Sequence, residues 1–200
     1  MALRRRGKAA IGASPRALGR TRQAEAETTV RALSVQEGAM PSPRTLLSIY
    51  LNDHLAGATA GAELLRRTAK THRGRAAGSE LAGLAREVAE DRETLIGIMA
   101  RLGVPVRQSR VRAGWLAEKA GRLKLNGSLT SRSPLSDVLE LEAMRLGVQA
   151  KTSCWRTLAG LADSEPGLDA DALATLLDRA DAQAKRLEAL RGNAVSRVWG

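Results

Sequence analysis

The chain has no phenylalanine, one tyrosine, three tryptophans and a single cysteine in 200 residues. Strands pack with aromatic and β-branched side chains, and isoleucine occurs only at Ile11, Ile49, Ile96 and Ile98. That scarcity argues against a sheet protein and for an all-α class. The lone Cys154 excludes a disulfide framework and a Cys-based zinc or iron–sulfur site built from one chain. No run of about 18 apolar residues occurs, so no membrane span is expected. Gly-rich phosphate loops and a Gly-x-Ser-x-Gly elbow are missing, and Cys154 has no histidine at compatible spacing. Nucleophilic catalysis therefore finds no support, and Cys154 reads as a small packing residue.

What the chain does have is positive charge: 32 Lys/Arg against 21 Asp/Glu, a net +11. Residues 1–40 hold eight basic and three acidic residues, a net +5, and no sustained apolar stripe. They cannot offset the entropy cost of ordering, so they read as a basic, flexible tail ahead of a folded part over 41–200. Arg4-Arg5-Arg6 is followed by only a short, weak apolar stretch ending at Ala13. That is too little for an export signal, and a cytoplasmic location is expected. Met40-Pro41 stands just before the first strong helix signal, so a blander reading of the tail is that it is dispensable or upstream of the natural start.

The folded part reads as four long helices and a short one. Ser42-Pro43 is a capping serine with proline at the first helical position, and starts a helix over about 43–71. Its inward stripe reads Leu47, Tyr50, Leu51, His54, Ala58, Gly61, Leu65 and Thr68. A second helix covers about 79–102, with Leu81, Leu84, Val88, Asp91, Leu95 and Ile98 on one face, and ends at Gly103-Val104-Pro105. A short basic amphipathic helix is predicted near 112–125. Ser133-Pro134 repeats the first start signal and opens a helix over about 134–162, with Val138, Leu141, Arg145, Val148, Thr152, Trp155 and Ala159 inward. Asp169, flanked by Leu168 and Leu173 as a hydrophobic staple, caps the last helix, about 169–198. Its stripe reads Leu173, Leu177, Ala180, Ala184, Leu187, Leu190 and Ala194.

A helix of 24 residues is about 36 Å long, and the thirty-residue connection between the second and third long helices can cross that length. Two hairpins joined by one long crossing connection form the ferritin-like topology, whereas up-down-up-down bundles use short loops. The expected architecture is thus an antiparallel bundle of four long helices with a crossover containing a short helix. An ordinary up-down-up-down bundle capped by the short helix is the other arrangement that fits.

The segments Tyr50-Leu51-Asn52-Asp53-His54-Leu55-Ala56-Gly57-Ala58 and Glu118-Lys119-Ala120-Gly121-Arg122-Leu123-Lys124-Leu125-Asn126-Gly127 resemble segments of a group of uncharacterised actinobacterial helical-bundle proteins. The resemblance covers most of 43–198 and implies a fold without assigning chemistry. Arginine outnumbers lysine 26 to 6, as a GC-rich genome produces.

A ferritin-like di-iron site needs a Glu from each of two helices and Glu-x-x-His on each of the others. Neither His54 nor His72 follows a glutamate by three, since Leu51 and Ala69 stand there. A reduced site for iron or manganese is still conceivable from levels along the bundle. At 1.5 Å per residue, His54 and Asp91 both fall roughly 15–17 Å from one end, and Asp178 and Asp181 come near that level. The candidate set is His54, Asp91 and Asp181. The simpler readings are a His54–Asp91 pair hydrogen-bonded in the core, which would raise the histidine pKa, or a partly solvated arrangement.

Ala56-Gly57-Ala58-Thr59-Ala60-Gly61-Ala62 is a run of small side chains in mid-helix. Its two glycines cost about 1 kcal/mol each relative to alanine, which suggests close packing against a neighbouring helix or a second protomer, or space for a ligand beside His54. Arg107, Arg110, Arg112, Lys119, Arg122 and Lys124 gather on the crossover, and from Met40 onward the balance is still +6. Such a cluster neutralises phosphates, yet Trp115, Trp155, Trp199 and Tyr50 are scattered and no reading head appears. The function expected from these residues is a non-catalytic interaction or structural role. The competing readings are a degenerate carboxylate–histidine metal protein or oxidoreductase, and a weak electrostatic nucleic-acid binder.

Overall fold

The computed structural model describes residues 40–107 and 133–200. The chain divides into two units, Met1–Arg44 and Thr45–Gly200. Residues 1–39 of the predicted tail and the predicted short helix near 112–125 lie outside the described residues. Among the described residues the structure is all-helical, with four helices and no strand: α1 (Pro43–Thr71), α2 (Gly78–Arg101), α3 (Pro134–Ala159) and α4 (Ala170–Trp199). No helix among them is long and apolar enough to cross a membrane.

The helix ends follow from local chemistry that the sequence displays. Ser133 is extended (φ −64°, ψ 138°) and its side chain accepts from Leu135 N–H, with Pro134 at the first turn of α3. Asp169 does the same for α4, accepting from Ala172 N–H at 3.0 Å. α2 ends in a left-handed glycine, Gly103 (φ 63°), and Val104 N–H reaches back to Met99 C=O at 2.8 Å. That is the double-bonded helix stop in which a buried apolar residue, here Val104, follows the glycine. α3 stops three residues earlier than predicted, because Gly160 and the turn after it take up the last carbonyls. At Gly78 the α1–α2 turn leaves no room for a side chain, since a Cβ would lie 2.3 Å from the carbonyl oxygen of His72.

One cluster of buried apolar residues is shared by all four helices, with Leu51, Leu84, Met99, Trp155, Leu158 and Leu187 at its centre. The α2 face is buried as predicted. On α1 the inward positions are Ser48, Leu51, Asn52, Leu55, Leu65 and Thr68, so the face in the first half is turned away from the predicted Leu47–Tyr50–His54–Ala58 stripe. The cause is Asn52. Its amide donates to Ser48 C=O and Pro105 C=O and accepts from Arg107 N–H, at 2.8, 3.1 and 2.6 Å. A polar residue that fastens the chain leaving α2 therefore displaces apolar ones from the inward position. On α3 Met144 is buried and Arg145 exposed, and on α4 Leu176 and Gln183 hold inward positions predicted for Leu177 and Ala184.

Cys154 is buried, and burial pushes its thiol up to about 12, which agrees with a packing role. Leu187 is fully buried at the contact of the helices. Leu187→Ala is expected to lower the unfolding free energy by about 2–5 kcal/mol, read from the midpoint shift in urea at an unchanged slope.

Candidate functional site

Three polar residues interrupt the apolar stripes at core positions: Asp91 between Val88 and Leu95, Gln183 between Ala180 and Leu187, and Lys151 between Val148 and Trp155. The fold brings all three together. Asp91 is 2 % exposed and Gln183 fully buried. Lys151 Nζ donates to one carboxylate oxygen of Asp91 and to the amide oxygen of Gln183. The Arg179 guanidinium donates to the other oxygen of Asp91 and lies 3.5 Å from Glu90. Gln183 completes the arrangement by donating from Nε2 to Asp91 and to Glu87, both at 3.2 Å.

The cluster continues outward along α2 and α4. Arg186 donates to Glu87 at 2.6 Å and also pairs with Glu80, two turns nearer the start of α2. Burial pushes the Glu87 carboxyl upward, but hydrogen bonds from Arg186 and Gln183 outweigh it and the net shift is downward. Lys151 is held below the ordinary lysine range by burial, against the pull of Asp91 in the other direction. Arg179, about a third exposed, closes the cluster toward solvent.

Asp91, proposed from the sequence as a metal ligand, is thus committed to two cations of its own chain. The other two candidates lie elsewhere. His54 is half-buried and packs edge-on against Tyr50, with ring centroids 4.4 Å apart. Burial lowers its pKa, the reverse of what an Asp91 partner would produce. Asp181 is exposed on α4. The registers explain the separation: Arg92 donates to Thr59 at 2.9 Å, so Asp91 stands level with residues near 59 on α1, about five residues from His54. Asp181 has the predicted level, but the inward face of α4 there belongs to Ala180 and Gln183. Among the described residues, no group of three or more His, Cys, Asp or Glu gathers in a geometry that could hold a metal.

The His–Asp pair expected at His54 occurs at the other histidine. His72, 5 % exposed just beyond α1, meets Asp137 of α3 at 3.1 Å. Nearby, Thr68 donates to Glu140 at 2.7 Å, and at the opposite end of α1 Tyr50 meets Thr157 at 3.0 Å. Sequence spacing did not single out Lys151, Arg179 or Gln183. The available signal was that Lys151 and Gln183, like Asp91, are polar residues with apolar neighbours three or four positions away on both sides.

Comparison with protein-family models, with curated proteins and with solved structures returns no match.

Replacing Asp91 alone leaves Lys151 buried without its counter-charge. Asp91→Leu is expected to cost about 3–5 kcal/mol, while Asp91→Leu combined with Lys151→Met should recover most of that loss. Chemical denaturation of the two single variants and the double variant gives the coupling energy directly.

Proposed function

We propose that this chain is a ferritin-like antiparallel helical bundle that acts as a non-catalytic interaction or structural protein. The observation that carries the reading is the saturation of Asp91 by Lys151 and Arg179. In a ferritin-like bundle, inward carboxylates hold metal ions. Here an ammonium and a guanidinium supply the positive charge at the inward carboxylate. A lysine and an arginine offer no lone pair to a metal, and both repel it. The donor set around Asp91 does not fit an iron or manganese centre.

The residue pairings support the ferritin-like connectivity. Tyr50 with Thr157 and Thr68 with Glu140 oppose the directions of α1 and α3. Asp91 with Arg179 and Glu80 with Arg186 oppose α2 and α4. With α1 and α2 joined by a short turn and paired at Thr59–Arg92, α2 and α3 then run the same way. A long crossing connection between them is what that requires, whereas an up-down-up-down bundle would oppose them. The resemblance of Tyr50–Ala58 to actinobacterial bundles agrees with this reading. The basic crossover residues Arg110, Arg112, Lys119, Arg122 and Lys124 lie outside the described residues, and the nucleic-acid alternative rests on the sequence alone.

The interaction we favour is self-association through the Gly57/Gly61 face of α1. A Cβ on either glycine would meet no atom of the described residues within 4 Å, so neither is explained by close packing among the described residues. Leu46 and Ile49, on the same helix, are exposed as well.

Two measurements test the reading. Protein prepared without chelator is expected to carry the same trace metal content as His54→Ala and Asp91→Asn variants; stoichiometric iron, manganese or zinc lost in either variant overturns the non-metal reading. Gly57→Ala/Gly61→Ala should weaken the dimer in sedimentation equilibrium while raising helix stability by about 1 kcal/mol per site. A wild-type chain that stays monomeric at all concentrations defeats self-association.

A further inference from the structure

Where α1 ends, α2 begins, α3 begins and α4 ends, the four helices leave a cavity of about 130 Å³ that the core ion cluster does not reach. Leu81, Leu141 and Leu190 line it from the core. The buried His72 and Asp137 also line it, and its exposed rim carries Ala76, Asn193 and Arg197. Three leucines thus stand on the core side, and an amide and a guanidinium stand at the mouth, as in sites that bind small amphiphilic molecules.

The mouth has donors to spare. One Asp137 oxygen faces His72 at 3.1 Å, and the other lies 3.6 Å from an Arg197 nitrogen. That long pair occupies one edge of a five-donor guanidinium that is about half exposed. Asn193 stands one turn before Arg197 on α4, so both side chains project over the same opening.

We infer that this cavity binds a short-chain monocarboxylate, its hydrocarbon tail against Leu81, Leu141 and Leu190 and its carboxylate held by Arg197 and Asn193. The volume sets the size of the tail. A cavity of roughly 150 Å³ admits benzene, so this one takes a body of about three to six carbon atoms. An ammonium head is disfavoured, because Asp137 already has two basic partners and Arg197 repels it. An alcohol would fill the apolar part without engaging the guanidinium.

The test is a methyl-resolved NMR titration of the full chain with butyrate, butylammonium and 1-butanol at matched ionic strength. Saturable shifts at Leu81, Leu141 and Leu190 with butyrate, and weaker ones with the other two, are expected. Arg197→Gln should weaken butyrate about tenfold, the loss of a charge-assisted contact, and leave butanol unchanged. Ala76→Leu, which crowds the mouth, should weaken all three alike while the circular dichroism and melting curve stay those of the wild type. Absence of saturable shifts with butyrate, equal affinity for butylammonium, or butyrate binding that Arg197→Gln leaves intact overturns the inference. If Ala76→Leu does not fold, the comparison of head groups and Arg197→Gln decides alone.

Discussion

A carboxylate with almost no access to water has to be neutralised, and the arrangement of these helices is organised around doing so at Asp91. The cost of burying one ion is several kcal/mol, and it is recovered only with good geometry and full hydrogen bonding. Asp91 achieves that with Lys151 from α3 and Arg179 from α4, while Gln183 spends its amide on three members of the cluster. Three helices are therefore fixed in level relative to one another to within the reach of a side chain. A slip of one turn on α4 would move Arg179 and Gln183 by 5.4 Å and leave Asp91 unpaired. Apolar packing of leucines and alanines alone is much more tolerant of such slips.

The same economy recurs at the periphery. Asn52 takes three backbone partners to hold the chain that leaves α2, and it takes an inward position from an apolar residue to do so. His72 and Asp137 tie the end of α1 to the start of α3. Each device lies at a different level along the molecule: Asn52 near the start of α1, Asp91 in the middle, His72 at the far end. A core built largely of Ala, Leu and Val, with few large aromatic side chains to specify how helices mesh, is well served by polar pins of this kind. Trp155 is the exception, a fully buried ring among the leucines, and its indole nitrogen has no hydrogen-bond partner among the described residues.

The candidate site shows where pattern reading reaches its limit. Asp91 was visible as a charged residue in an apolar stripe, and its burial follows from that position. Its partner was not visible. Choosing His54 required levels along the helices, and an error of about five residues in the α1–α2 register was enough to put the wrong residue opposite. Asp181 failed for a different reason: its level was close, but two residues along a helix is a rotation of some 200°, which carries a side chain from core to solvent. Lys151 and Arg179 do not stand out in the pattern, because long basic side chains on helices are ordinarily solvated and nothing local distinguishes the one that turns inward.

Composition and local chemistry by themselves determined the class and the segmentation. Scarce aromatics and isoleucines marked the chain as helical, and Ser133-Pro134, Gly103-Val104-Pro105 and Asp169 set helix ends through hydrogen bonds that span only a few residues. The inward face of α2 was equally legible, because its apolar residues recur at helical spacing without competition. What only the tertiary structure decided is which polar residues meet: Asp91 with Lys151 and Arg179, and Asp137 with His72. Those choices join residues 60 to 88 positions apart. They depend on helix rotation and register together, quantities that the periodicity of any single helix leaves open.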